Sequence, residues 1–286
     1  MSTHKAAAYA STVDDLDHPG ALARTPGFEY WGAEDVAVIP PLTALPRDYA
    51  PIAANTCVTS ARNQELTVCT TPVSEPAMRV MVVGDSHLQQ FLAALDPIAL
   101  RRDWQVASVL KGGCEFSADT DPASSGPSCV RWNADATQEI LARRPDIVFV
   151  NGTRNVRVGL TEQTPDGFVT AWRTLADAGI RVLALRDNPR YDFSPPVCVA
   201  IHGPTAPRCG TPRAELLSPD PPYTRVRGLP SAVSFLDFSD YLCTETICPP
   251  VIGNVHVYLD ENHLSATYVR TMTPIVEQAI DTALAR

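Results

Sequence analysis

Residues 79–88 read Arg-Val-Met-Val-Val-Gly-Asp-Ser-His-Leu. A short, mostly apolar run rich in β-branched residues meets Gly84-Asp85-Ser86-His87, and a helical pattern follows at once. An apolar run closed by glycine, then a small polar residue, then a helix, spells a strand–turn–helix unit. It places Ser86 at the carboxyl end of a strand and the amino end of a helix. Open α/β sheets meet their ligands at that edge. The helix start adds N–H groups without intrahelical acceptors, which favour developing negative charge.

Outward from this unit the pattern alternates. Apolar runs at 80–83, 104–110, 147–150, 180–185 and 233–238 read as strands. Leu88, Phe91, Leu92 and Leu95 give one helix, expected to end near Pro97. A polar Ser/Asp/Pro loop is expected up to Cys129, then a helix over about 132–143. A further helix begins at Pro165, carries Phe168, Trp172 and Leu175, and stops at Gly179. The last starts near Ala266 and contains Pro274, which predicts a kink or a broken turn. The long proline-rich excursion from 187 to 230 is of the length that usually serves function or holds structure of its own. Five strands separated by helices imply an α/β fold, a three-layer α/β/α sandwich around a five-stranded parallel sheet. Residues 1–77 are proline-rich and weakly periodic, and read as an extended arm docking on a core of residues 78–286.

The 286 residues carry a formal charge of −9 without a basic stripe, which argues against nucleic acid as partner. No apolar run is long enough to span a bilayer, and the start lacks the apolar core of a secretory signal. Eight cysteines fall by proximity into four local pairs, Cys57–Cys69, Cys114–Cys129, Cys198–Cys209 and Cys243–Cys248. No C-x-x-C pair or Cys/His cluster suggests metal, so disulfides are expected, and no metal or other cofactor. Short loops closed in this way are worth about 2–3 kcal/mol each. Disulfides imply an oxidising compartment. With no export signal at the start, an exporting segment is expected before Met1.

A serine nucleophile needs a base and a group to orient that base. His4 and His18 lie in the arm, His202 in the proline-rich excursion, and His256 in a strand-like approach. His87 is expected to point away from its neighbour's side chain and to bond backbone or loop groups. His263 is different. It stands in Tyr258-Leu259-Asp260-Glu261-Asn262-His263-Leu264-Ser265, just before the last helix. From a turn, Asp260 can reach Nδ1–H of His263, fix its tautomer, and leave Nε2 facing a serine. Ser86, His263 and Asp260 are therefore the candidate catalytic set. The competing reading makes Asp260 a turn residue and His263 a cap.

The Gly84-Asp85-Ser86-His87 block, the Lys111-Gly112-Gly113-Cys114 turn, the Cys129 to Asn133 segment and the Cys243/Cys248 pair before the Asp260–Ser265 block resemble the SGNH (GDSL-like) hydrolase superfamily. They are most similar to the extracytoplasmic SGNH domain fused to membrane acyltransferase-3 proteins. The resemblance covers about residues 78–286 and implies a flavodoxin-like α/β domain. It further implies an O-acyltransferase that moves an acetyl-like group through an acyl-Ser86 to a cell-envelope polysaccharide or glycolipid. The implied partners are an N-terminal transmembrane acyltransferase domain of the same polypeptide, the acyl donor it delivers, and a cell-surface glycan acceptor. The implied place is the outer face of the membrane. Alongside the Ser86 N–H, the family's oxyanion glycine falls on Gly113. Its Gly-x-Asn element meets Asn151-Gly152-Thr153-Arg154-Asn155, where Arg154 stands in the place of the family's asparagine. Asn151 or Asn155 would then supply the donor, or the site lacks it, and Arg154 would bind an acyl or sugar oxygen or pair with Asp187. A carbohydrate esterase, a non-catalytic glycan-binding module and a free-standing secreted lipase are the alternatives.

Overall fold

The computed structural model describes residues 15–52, 57–119, 122–154 and 159–285. Seven described strands form one sheet: β1 (Cys57–Thr59), β2 (Thr67–Thr70), β3 (Met78–Gly84), β4 (Trp104–Leu110), β5 (Ile147–Asn151), β6 (Arg181–Leu185) and β8 (Val233–Leu236). Short antiparallel pairs lie outside it, β7 (Thr211–Pro212) with β9 (Ile247–Cys248) and β10 (Val251–Ile252) with β11 (Val255–His256). The helices are α1 (Ser86–Gln89), α2 (Leu92–Arg101), α3 (Pro122–Arg143), α4 (Asp166–Asp177), α5 (Pro195–His202), α6 (Arg213–Leu216), α7 (Ser239–Leu242), α8 (Ala266–Thr271) and α9 (Thr273–Leu284).

The sheet order is β1-β2-β4-β3-β5-β6-β8. All five strands expected from the apolar runs are present and parallel. The β1–β2 hairpin adds two antiparallel strands beyond β4. These come from the proline-rich segment, and their three- and four-residue length is too short for an alternation to show. Chain order reverses direction across the sheet between β3 and β5, a topological switch point where the carboxyl ends of strands open a crevice.

Strand alternation sends Val80 and Val82 to one face, against α2, α8 and α9, and Met81 and Val83 to the other, against α3 and α4. On α4, Phe168, Trp172 and Leu175 repeat at helical spacing and are all but fully buried. Each contributes roughly 2–3 kcal/mol by leaving water. Trp172 meets Phe235 of β8 edge-on at 5.4 Å.

Two helix expectations need correction. The helix after Ser86 does not end near Pro97. It breaks at Gln90–Phe91 and resumes as α2, which carries Pro97 inside and runs to Arg101. Burial of Leu95, Ile98 and Ala99 on one face holds the helix through the proline. The segment up to Cys129 is not all loop, because α3 is already helical from Pro127, just after Gly126 turns the chain at φ 77°. Within the long excursion, α5 is tied to the next turn by Cys198–Cys209. The break expected at Pro274 falls at Met272, with Pro274 at the start of α9.

All four expected disulfides are formed. Cys57 and Cys69 face each other across the β1–β2 register. Residues 15–52 lie against the C-terminal half. Gly20 N–H donates to the Gly253 carbonyl at 3.0 Å, Ala21 N–H to Thr271 Oγ1 at 2.8 Å, and Ile39 bridges to Val255. Among the described residues no helix is long and apolar enough to cross a membrane.

Candidate active site

Ser86 is the first residue of α1, directly beyond β3. The turn between them is fixed from three sides. Gly84 has φ 155°, and a Cβ there would sit 2.6 Å from Asn151 Oδ1, so only glycine fits. Asp85 caps α1 by accepting the His87 N–H at 3.0 Å. Asn151, at the end of β5, donates from Nδ2 to Asp85 Oδ1 at 3.3 Å and accepts the Phe116 N–H at the same distance.

The loop before α8 brings His263 to this turn. Its Nε2 lies 2.9 Å from Ser86 Oγ, and its Nδ1 lies 2.9 Å from Asp260 Oδ2. Asp260 Oδ1 also accepts the N–H groups of Asn262 (2.7 Å) and His263 (2.6 Å). Burial works against the charge of this carboxylate, but the bonds from the His263 ring and from the two backbone N–H groups prevail and hold its pKa below the usual value. An ionised Asp260 keeps the proton on Nδ1, so Nε2 is free to accept from the Ser86 hydroxyl. The three residues singled out in the sequence are thus hydrogen-bonded in line, 263 and 260 reaching 86 across the fold.

Side chains that the sequence did not flag lock this line together. Gln90 Oε1 accepts the Leu264 N–H at 2.9 Å, and its Nε2 donates to Asn188 Oδ1 at 2.6 Å. Asn188 Nδ2 in turn donates to the Asn262 carbonyl at 3.0 Å. Nucleophile helix, β6 edge and histidine loop therefore form one buried network. Tyr49 comes from the proline-rich segment. Its hydroxyl donates to the Ser86 carbonyl at 3.1 Å, and its ring meets the His263 ring edge-on at 5.5 Å. Burial pushes its phenol up to about 12, so it remains a donor at neutral pH. Asp48 beside it accepts from Thr267 N and Oγ1, both at 3.0 Å, and pins the segment to the start of α8. Nothing in local sequence marks Tyr49, because its role arises only when residues distant in the chain dock.

The residues singled out as oxyanion or substrate groups are distributed as follows. Ser86 N–H, at the first position of α1, has no intrahelical acceptor. Gly113 sits at φ 67° in an exposed turn with open space where a Cβ would be. Asn151 is buried beneath the nucleophile turn with the two bonds given above. Arg154 forms a bridge with Gln163 through its backbone and holds its guanidinium 3.6 Å from Glu115. Burial, then the nearby Asp85, raises the Glu115 carboxyl. Asn155 lies outside the described residues. Asp187 takes His87 as a partner: Nδ1 of His87 is 2.6 Å from its carboxylate, so the side chain expected to bond a loop group bonds a charged one. The loop carrying Glu115 and Phe116 is held by Cys114–Cys129 and by Asn133, which accepts the Ser117 N–H and donates to the Glu115 carbonyl. Among the described residues no group of three or more His, Cys, Asp or Glu side chains is placed to hold a metal ion.

Residues 56–278 match the sequence profile of the SGNH domain fused to AT3 domains. The structure is similar to that of the periplasmic domain of a lipopolysaccharide acetyltransferase from Salmonella ser. Paratyphi A, with a TM-score of 0.56 and 14% sequence identity over 83% of this chain and 93% of that one. That likeness is one of fold. No curated protein is significantly similar to the chain in sequence.

Proposed function

The chain belongs to the family of SGNH domains fused to AT3 domains, and from that premise we propose that it is the extracytoplasmic catalytic part of an O-acyltransferase acting on a cell-envelope glycan. The observation that carries this reading is the Ser86–His263–Asp260 line at the switch-point edge of the sheet. Ser86 Oγ attacks the acyl carbonyl while His263 Nε2 takes its proton, and Asp260 steadies the imidazolium that results. The tetrahedral oxyanion is met by the Ser86 N–H at the start of α1, a donor of a kind worth roughly 3–4 kcal/mol to such a step. Collapse expels the donor's leaving group, which carries off the proton from His263, and leaves acyl-Ser86. A sugar hydroxyl then gives its proton to His263, attacks the acyl carbon, and on collapse Ser86 recovers the proton.

Three facts support the wider setting. The family is defined by fusion to AT3 domains. A structure similar in fold to this chain is that of a periplasmic domain that carries the name of an acetyltransferase. Four disulfides suit an oxidising compartment. In this reading a transmembrane acyltransferase domain delivers a short acyl group, the proline-rich segment ahead of β1 joins it to the sheet domain, and the glycan outside the membrane is the acceptor. The His263 side chain is 20% exposed, so water can compete with the sugar hydroxyl for the acyl-enzyme. The test is turnover of a small aryl acetate by the purified chain, with and without a glycan acceptor. The proposal expects slow hydrolysis, acyl transfer when acceptor is added, and loss of both in Ser86→Ala. Equal rates in Ser86→Ala and the unaltered protein would refute it.

A further inference from the structure

Beside the proposed triad lies a second histidine–carboxylate pair to which the chemistry above gives no task. His87 Nδ1 and Asp187 Oδ1 are 2.6 Å apart, with side chains only 4% and 3% exposed. Asp187 is built as an acceptor: its own N–H is held by Thr153 Oγ1 at 2.9 Å, and its carboxylate also takes the Asn188 N–H at 2.9 Å. His87 therefore carries a proton on Nδ1. Its Nε2 is buried with no hydrogen-bond partner among the described residues. The His87 ring centre lies 5.2 Å from that of His263, inclined at 46°. Burying such a pair is costly, and its charges could be replaced by apolar side chains if packing were all that was needed. Here it stands one residue from the nucleophile and in ring contact with the base.

We propose that His87, locked by Asp187, is a positioning residue for His263: its ring holds the plane of the base, and its charge tunes the ease with which the base accepts the serine proton. The inference rests on the reading of His263 as general base. The charged and titratable groups around His87 are Asp187 and Arg190 from the segment after β6, Asp85 from the nucleophile turn, and His263 from the loop before α8. Burial alone would strip the proton from His87, but Asp187, by charge and by hydrogen bond, outweighs it and raises the pKa. In its protonated form His87 opposes the imidazolium that forms on His263 in each proton transfer. Asp187 moderates that opposition.

The test uses the whole chain and two measurements: side-chain NMR titration of His263, and aryl acetate hydrolysis across about pH 5 to 9, where histidine titrates. The variants are His87→Gln and the double His87→Gln/Asp187→Asn, which removes imidazole and carboxylate together, at the cost of the 3.4 Å contact from Arg190 to Asp187, and keeps the question open should the single variant fail to fold. In His87→Gln the His263 midpoint and the acid limb of kcat/KM are both expected to rise by about half a pH unit or more, because a cation about one ring away has gone. In both variants kcat is expected to fall about tenfold or more with KM unchanged, the mark of a misplaced base. In the double variant a neutral pair replaces a neutral pair, so the midpoint is expected to move less. A His263 midpoint unmoved in His87→Gln, or wild-type kcat in the double variant, would overturn the proposal. No Ser86-dependent hydrolysis in the unaltered protein, with the midpoint shift intact, would instead sink the catalytic reading of His263 and leave the coupling between the two rings standing.

Discussion

Asp260→Asn separates orientation of the base from everything else in the site. The substitution is nearly isosteric. An amide oxygen in the place of Oδ1 still accepts the Asn262 and His263 N–H groups, now at 2.7 and 2.6 Å, so the loop keeps its turn. The other position, 2.9 Å from Nδ1, then carries an NH2 group. A donor there compels Nδ1 to accept, which moves the ring proton to Nε2, the atom facing Ser86 Oγ. His263 can then no longer take the serine proton. Loss of a triad carboxylate in this way lowers kcat on the order of 10⁴-fold. That corresponds to about 5.5 kcal/mol of transition-state stabilisation. The assay is the rate of acyl-enzyme formation from an aryl acetate, alongside thermal unfolding to confirm the fold. Because Asp260 titrates below the ordinary carboxylate range in the folded chain, its support of the native state is present above the unfolded pKa and fades as the pH falls through the lowered one. The variant should lack that acid dependence. Acylation within about tenfold of the unaltered rate would mean that the tautomer is not set by Asp260, against the basis of triad catalysis.

Other consequences follow from the same geometry. Tyr49→Phe keeps the ring against His263 and removes the bond to the Ser86 carbonyl, worth about 1 kcal/mol, so steady-state kcat should fall about fivefold with KM unchanged. Asp96 has a buried oxygen without a partner, and burial raises its pKa to about 6. A carboxyl raised in the folded state destabilises as the pH climbs from its unfolded value to its folded one, so Asp96→Asn should gain up to roughly 3 kcal/mol at pH 7 and little below about pH 4 by urea unfolding. Replacing Cys114 and Cys129 together by serine opens a crosslink spanning 15 residues. It should cost about 3 kcal/mol of stability. Aryl acetate turnover should drop with it, since the loop that meets Asn151 through Phe116 is released.

What could be read from the sequence was what is local or periodic. Four of the five parallel strands are largely apolar runs buried on both faces, as in Val80 to Val83, and the fifth, β8, is an apolar run at the sheet edge. The Ser86 turn and the Asp260–His263 turn each announce themselves in a few adjacent residues. The C-terminal break followed from Pro274, because proline cannot donate to a continuing helix. What stayed hidden depends on which distant segments meet. The β1–β2 hairpin is too short to show a period. Pro97 survives in α2 because packing of Ile98 and Ala99 outweighs one lost bond. Tyr49, Gln90 and Asn188 are ordinary polar residues until the fold brings them to Ser86 and His263. His87 was expected to turn from its neighbour's side chain, and only the end of β6 supplies the carboxylate that explains it.

The central claim, that Ser86 is a nucleophile driven by His263, is tested most directly by covalent labelling. The intact chain is treated with a serine-directed organophosphorus probe, digested, and mapped by mass spectrometry. The account predicts a single adduct on the Ser86 peptide, absent in Ser86→Ala and formed at least about 10³-fold more slowly in His263→Ala, as expected when a triad base is removed. An unlabelled Ser86, or labelling at the same rate without His263, would contradict it.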